Sequence, residues 1–365
     1  MKLVYDSKKS IEEIRRNFYN LENKNKSIEV NGDGILIKGD NFKAMSCLLK
    51  NYRGKIDLVY IDPPYNTNNK FMYSEERVST ISNKLDSIVA YDDNLPFEEY
   101  IEFIRERLIL IHELLSDKGT LYLHIDTKIG HYIKIILDEV FGRDNFINDI
   151  TRVKSNPKNF GRKAYGNEKD LILVYSKKAK NNIWNEIKIP LETEEIYKKF
   201  PKEDKNGRRY NTIPLHAPGE TKNGVTGQPW RNMLPPAGRH WRTDPAEFEI
   251  MDAEGKIEWS SNGNPRIKKY ADEHKGKKIQ DVWKNYKDPQ YPIYPTEKNF
   301  EMLDMIVKQS SNENSIIMDC FCGSGSFIEA GLKNKRIVIG IDKSDSSFIS
   351  MEKRIILESI ERITL

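Results

Sequence analysis

The sequence predicts an α/β fold built on a mostly parallel sheet, and three observations predict it. Apolar runs at Ile35 to Lys38, Ile56 to Ile61 and Leu121 to Ile125 alternate with stretches whose apolar residues recur at helical spacing. The run Ile316 to Met318 leads through Asp319 into the turn Cys320-Phe321-Cys322-Gly323-Ser324-Gly325, a helix starting near Phe327, and a second run, Val338 to Ile341, that ends at Asp342. Phe146 to Val153 and Leu171 to Tyr175 read as β segments with no helix between them, which is the pattern of an antiparallel hairpin closing such a sheet.

In chain order, the strand at Ile35 turns at Gly39-Asp40 into a helix reaching about Asn51, and the next strand delivers Asp62. A polar loop is predicted from Asn66 to Asn94. Pro96 then opens a long helix, because proline is tolerated in a first turn and Ile101, Ile104, Leu108, Ile111, Leu114 and Leu115 share one face. Lys118-Gly119 is predicted to end that helix, and a further helix through Ile136, Leu137 and Val140 stops at Gly142. From 178 to 293 helical periodicity largely disappears, Gly and Pro are frequent, and Trp230, Trp241, Trp259 and Trp283 stand among short apolar stretches. Tryptophans of a small domain usually form its core.

The chain has 365 residues, enough for one large α/β domain and a smaller insertion. It has no signal peptide and no apolar run of bilayer length, so no membrane partner is predicted. Cys47, Cys320 and Cys322 lack the further ligands of a zinc site, which points to reduced thiols in the cytoplasm and no metal. A net charge of +4 does not announce a nucleic-acid binder, but its distribution is uneven. Arg152, Lys154, Lys158, Arg162 and Lys163 form a stretch without an acid, and phosphate contact is predicted there. Lys268, Lys269, Lys275, Lys277 and Lys278 form a second cluster, equally readable as a solvated face.

Two motifs carry chemistry. Asp62-Pro63-Pro64-Tyr65 places a carboxylate, two ring-stiffened carbonyls and an aromatic ring at the end of a strand. Two prolines can simply end a strand, but that does not account for Asp62 and Tyr65. The glycine turn 320–325 lets a nucleoside approach the backbone, and Asp342 stands where a carboxylate grips a ribose diol. Position 328 is Ile, so the dinucleotide fingerprint is incomplete.

Together, Phe-x-Gly-x-Gly and Asp-Pro-Pro-Tyr resemble the signature pair of S-adenosylmethionine-dependent DNA amino-methyltransferases, and their order resembles the permuted β class. More narrowly, Asp62 to Thr67, Arg107-Leu108, Gly119 to Asp126 and Phe141 to Phe146 resemble the modification subunits of type III restriction systems and their solitary relatives. The resemblance implies a Rossmann-like methyltransferase fold: a mostly parallel seven-stranded sheet with an antiparallel hairpin, in circularly permuted motif order. It implies a catalytic half at 1–177, a target recognition domain at 178–293 and a cofactor half at 294–365.

The same resemblance implies S-adenosyl-L-methionine as cofactor, with Asp319, Phe321, Gly323 and Gly325 around its methionine moiety, Asp342 on the ribose and Asp40 near the adenine. Tyr294 to Asn299 resembles the family's Thr-Gln-Lys-Pro box, which implies that Thr296 and Lys298 hold the cofactor carboxylate. Glu297 and Asn299 depart from it, and the missing proline is predicted to loosen the helix start. An amino group conjugated to a flat ring is a poor nucleophile, so Asp62 and the Pro63 carbonyl, with Pro64 shaping the turn, are the acceptors predicted to localise its lone pair; Tyr65 would stack on the flipped base. Asp in the tetrapeptide, followed by Asn66-Thr67, resembles N6-adenine enzymes, with N4-cytosine as the alternative. Double-stranded DNA is the implied partner, with Asn66, Arg152, Lys154, Lys158, Arg239 and Arg266 as its candidate contacts. A homodimer and a restriction subunit are the other partners the resemblance admits.

Overall fold

The computed structural model describes residues 2–64, 70–73, 88–92, 95–155, 163–290, 292, 297–355 and 360–365. The chain divides into two compact units, Met1–Ile187 with Gln280–Leu365, and Lys188–Ile279. The smaller unit is narrower than the 178–293 segment. Asn185 donates its backbone N–H to the Gln309 carbonyl, and Trp283 is buried on an edge strand of the larger unit.

The larger unit is organised by one sheet. Its strands are β1 (Gly34–Lys38), β2 (Ile56–Ile61), β3 (Leu115–Ile125), β4 (Phe146–Val153), β5 (Lys169–Ser176), β6 (Val282–Trp283), β7 (Ile316–Asp319), β8 (Ile337–Asp342) and β9 (Ile360–Thr364). Their spatial order is β6-β4-β5-β3-β2-β7-β8-β1-β9. β5 runs antiparallel to both its neighbours, and every other pairing is parallel. Among the described residues this sheet has nine strands where seven are predicted. β6 is two residues long, too short for a periodic signal, and β9 is an edge strand in which Glu361 and Arg362 are exposed.

Helices cover both faces. On one side α1 (Ile11–Lys24), α2 (Asn41–Tyr52), α3 (Phe97–Leu114) and α4 (Thr127–Phe141) bury their apolar stripes in one core with Ile35, Ile37, Val59, Leu121, Leu123, Met318 and Ile339. On the other, α5 (Phe300–Ser310), α6 (Ser326–Lys333) and α7 (Asp345–Arg354) follow β6, β7 and β8 in turn. Ser310 of α5 bonds Tyr122 at 2.8 Å, and Phe327 of α6 stacks on Tyr60 with centroids 5.3 Å apart.

Three local expectations are corrected. α3 stops at Leu114, four residues before Lys118-Gly119, because Leu115 already pairs with Ile56 beside an irregularity in the β2–β3 register. Gly119 lies inside β3, where an added Cβ would meet the Ile56 carbonyl at 2.8 Å. Within 66–94, residues Lys70–Tyr73 and Ile88–Asp92 form an antiparallel pair rather than plain loop.

The topology locates a crevice. β2 and β7 are neighbours, yet the chain leaves β2 towards β3 on one side and leaves β7 towards β8 on the other. Their carboxyl ends therefore diverge at a switch point, where open α/β sheets hold ligands.

The smaller unit has a four-stranded antiparallel sheet in the order Ile257–Trp259, Pro265–Tyr270, Arg209–Pro214, Lys202–Glu203. Trp230, Trp241, Phe248, Ile257, Ile267 and Leu215 form its core.

Packing behind the crevice leaves no slack. A Cβ on Gly331 of α6 would stand 2.6 Å from Ile317 and 2.7 Å from Val338, whereas one on Gly166 would meet nothing within 4 Å. Gly331→Val is expected to cost about 1–3 kcal/mol by overpacking, seen as a lower urea midpoint, while Gly166→Ala leaves the midpoint unchanged within error.

Candidate active site

The crevice holds a cleft of about 1190 Å³, open mouth included, lined by both chemistry-bearing segments: Asp62, Pro63 and Pro64 from the end of β2, and Asp319 to Ser324 from the end of β7. Some 260 positions of sequence separate them. Tyr60, Asp342, Lys298, Asp40 and Asn41 are among its other polar lining residues.

The tetrapeptide turn is anchored from α3. Tyr100 Oη donates to the Pro64 carbonyl at 2.5 Å, so that carbonyl is bonded within the fold. Lys298 Nζ lies 2.5 Å from Asp62 Oδ2, with 8% and 15% of the two side chains exposed. Desolvated pairs of this geometry hold a carboxylate in one orientation.

The glycine turn is built by its own backbone. Asp319 accepts from Phe321 N at 2.9 Å, and Asp342 accepts from Gly323 N at 2.9 Å and Ser344 N at 2.8 Å. Gly323 and Gly325 have φ of 47° and 77°, in the left-handed region, and a Cβ on Gly325 would press on Met351 Cγ at 2.6 Å. Burial pushes the Asp319 carboxyl well up, with nearby Asp62 adding to it, and burial also raises Asp342. Burial raises the Cys320 and Cys322 thiols as well, and both are unbridged.

At the cleft's edge Asp40 caps α2 by accepting from Lys43 N at 3.0 Å and pairs with Arg107 at 3.2 Å. Arg107 also donates to Asn41 at 2.7 Å, and Asn41 donates to the Cys320 carbonyl at 2.8 Å, tying the two halves together. Glu297 pairs with Arg354, which bonds Glu329 at 2.9 Å, so the departing residue has its own buried counter-charge. Asn299 caps α5 by accepting from Met302 N at 2.9 Å, and the helix start is fixed despite the missing proline.

Strand register adds a feature that sequence reasoning missed. Tyr60 pairs with Tyr122, His124 with Ile172, and Arg152 with Asp170, so Tyr60, Asp62, His124, Asp170 and Arg152 share one face. Tyr60 Oη is 2.8 Å from His124 Nδ1, and His124 Nε2 is 3.3 Å from Asp170 Oδ2. Burial holds the imidazole below its ordinary value. Burial alone would raise Asp170, but its bond to His124 and the charges of Lys298 and Lys154 outweigh that and leave it well below the carboxylate range. With Nε2–H donating to Asp170, Nδ1 is left to accept from the Tyr60 hydroxyl. A lone His inside the apolar run Leu121 to Ile125 was the available signal.

The predicted DNA contacts fare unevenly. Arg152 is fully buried, donating to the Tyr286 carbonyl at 2.9 Å and pairing with Asp288, so it is a structural cation and not a phosphate contact. Lys154 is engaged with Asp170 at 2.6 Å. Tyr65, Asn66, Lys158 and Thr296 lie outside the described residues. Arg239 is exposed, and Arg266 bonds the Thr212 hydroxyl at 2.9 Å.

Comparison with known proteins follows the same lines. The chain is 42% identical over 313 residues to the type II methyltransferase M.EcaI of Enterobacter cloacae, covering 84% of this chain and 66% of that protein. It is 23% identical over 329 residues to the StyLTI Mod subunit, a type III restriction-modification enzyme of Salmonella typhimurium, covering 82% and 50%. The chain thus spans just under two thirds and one half of these relatives' lengths. Among solved structures, TTHA0409 of Thermus thermophilus, complexed with S-adenosyl-L-methionine, is 12% identical over 91% of this chain and 98% of that one, with a TM-score of 0.46. The N6_N4_Mtase family model, described as DNA methylase, matches residues 56–352. Because that match takes in the Asp62 turn, the glycine turn and Asp342 alike, the chain belongs to the N6_N4_Mtase family of DNA methylases.

Proposed function

We propose that the protein is a site-specific DNA methyltransferase that transfers a methyl group from S-adenosyl-L-methionine to N6 of adenine in double-stranded DNA, flipping the base to reach it. The observation that carries this reading is the convergence of Asp62-Pro63-Pro64 and the glycine turn on one cleft.

The residues present fit the cofactor. Asp62, Asp319 and Asp342 face the cleft, two of them with carboxyls raised by burial, which is an environment that a ligand carrying sulfonium and ammonium charges relieves. Asp342 would hold the ribose diol, Asp319, Phe321, Gly323 and Gly325 the methionine moiety, and Asp40 the adenine edge, with Thr296 and Lys298 on the carboxylate. Bound there, the cofactor supplies an electrophilic methyl group. The chain's own contribution is acceptor placement: Asp62 and the Pro63 carbonyl take hydrogen bonds from the exocyclic amine and direct its lone pair. Lys298 keeps the Asp62 carboxylate aimed.

In the smaller unit Arg239 lies 3.4 Å from His216, whose imidazole is lowered by partial burial and by the charges of Arg239, Arg242 and Arg266; Glu258 stands opposite Arg266 in the strand register but pairs with Lys202. Elsewhere in this unit Arg208, Arg231, Lys202 and Lys277 are spent on carboxylates. A cluster of arginines not spent on ion pairs among the described residues suits phosphates and base edges, so we assign target recognition to this unit. N4-cytosine methylation is the second reading, since both amines need the same acceptors and the family covers both. A restriction partner belongs with the Mod-subunit relative. No helix among the described residues is long and apolar enough to cross a membrane.

Three outcomes test this. Incubating the protein with unmethylated genomic DNA and cofactor, then digesting to nucleosides, is expected to yield N6-methyladenosine deoxynucleoside by mass; N4-methylcytosine instead selects the second reading. Asp62→Ala is expected to reduce transfer at least about 1,000-fold while cofactor affinity by calorimetry stays within about threefold. Arg239→Ala with Arg242→Ala is expected to weaken duplex binding and to make the fall of log K with log salt shallower by about 0.9 for each phosphate left unneutralised.

A further inference from the structure

We infer that His124, braced by Asp170, is a positioning residue that acts through Tyr60 to set the cleft wall at the point of methyl transfer; this rests on the methyltransferase reading above. Tyr60 is the penultimate residue of β2 and Asp62 the first residue beyond it, and both line the cleft. The Tyr60 ring is clamped on one side by Phe327, which follows the glycine turn, at 5.3 Å between centroids and 22° between planes. Its hydroxyl meets His124 Nδ1 at 2.8 Å, and nothing else among the described residues accepts from it. The ring therefore forms part of the cleft wall that Asp62 and the glycine turn also line, and the imidazole is the polar tether that holds it.

That tether is itself over-determined. Asp170 fixes the imidazole through Nε2, and Asp170 is held by Lys154 Nζ at 2.6 Å and by Arg152 at 3.6 Å, which is anchored on the Tyr286 carbonyl and Asp288. Around it the same sheet face is apolar, with Ile150, Ile172 and Val174 buried. A hydrophobic residue at 124 would fill this core without the desolvation that a buried His and Asp require, so core packing does not explain the chain of bonds. What the chain does is end at the cleft wall. It holds a tyrosine in one rotamer beside Asp62, and no proton need move along it.

Paired variants separate the two ends of the imidazole. Gln at 124 places an amide where Nε2 was and keeps Asp170; Asn places one where Nδ1 was and keeps Tyr60. With labelled cofactor and saturating unmethylated genomic DNA, His124→Gln and Tyr60→Phe are each expected to lower kcat about tenfold, with cofactor Kd by calorimetry within threefold of wild type. His124→Asn is expected to stay within about threefold of wild-type kcat, and the double variant Tyr60→Phe with His124→Gln to be no slower than either single one. Nitrogen NMR of the free full-length chain is expected to show a neutral, Nε2-protonated His124 whose Nδ1 resonance moves in Tyr60→Phe. A His124→Gln enzyme within twofold of wild-type kcat, multiplying losses in the double variant, or an Nδ1-protonated imidazole overturns the inference while leaving the methyltransferase reading intact. A wild-type protein that transfers no methyl to DNA overturns both.

Discussion

Two register pairs hold the functional part of this molecule together: Ile317 beside Leu58 and Met318 beside Val59, in the parallel contact of β7 with β2. Everything in the cleft follows from that contact. It brings the end of the strand carrying Asp62 next to the end of the strand carrying Asp319, and since the chain turns away from the two strands in opposite directions, the space beyond them stays open. A one-residue slip would turn Tyr60 away from His124 and into the apolar core packed under α1 to α4. Burial of Leu58, Val59, Ile317 and Met318 on both faces makes such a slip expensive.

The second constraint is charge. The carboxyl end of the sheet carries Asp342, Asp319, Asp62, His124, Asp170 and Arg152 across adjacent strands, much of it removed from water. Such a row is tolerable only where each charge has a partner or a reason to be unsatisfied. Asp62 has Lys298, and Asp170 has Lys154 and Arg152, whereas Asp319 and Asp342 are compensated mainly by backbone N–H groups and are raised by their burial. The carboxyls held by backbone N–H groups in place of a cationic side chain thus sit beside the glycine turn, where a cationic nucleoside ligand would meet them.

The smaller unit distributes its polar groups differently. Its tryptophans are largely interior: Trp230 and Trp241 are buried and direct their indole N–H groups to Glu249 and the Gln228 carbonyl. Its arginines divide into those neutralised by acids and the group about His216 that is not. Electrostatic contrast within one small surface, more than net charge, distinguishes a face for an anionic partner.

By itself the sequence determined the local elements and the identity of the chemical groups. Buried strands read as apolar runs, α4 ends where Gly142 adopts φ of 87°, and the glycine turn and the tetrapeptide were each legible because backbone geometry demands those residue types. Fold class followed from the alternation, but the two edge strands did not, since one is too short for a pattern and the other is half solvated. Only the tertiary structure decided what each charged residue does. Arg152 and Lys154 stand in a basic stretch that reads as phosphate-binding, yet cross-strand pairing turns them onto Asp170; Lys298 meets Asp62; and His124, silent in an apolar run, becomes the link between Tyr60 and Asp170. The reason is range: dihedral preference and periodicity act over a few residues and are written locally, whereas the partner of a charge is chosen by strand register between segments up to hundreds of positions apart.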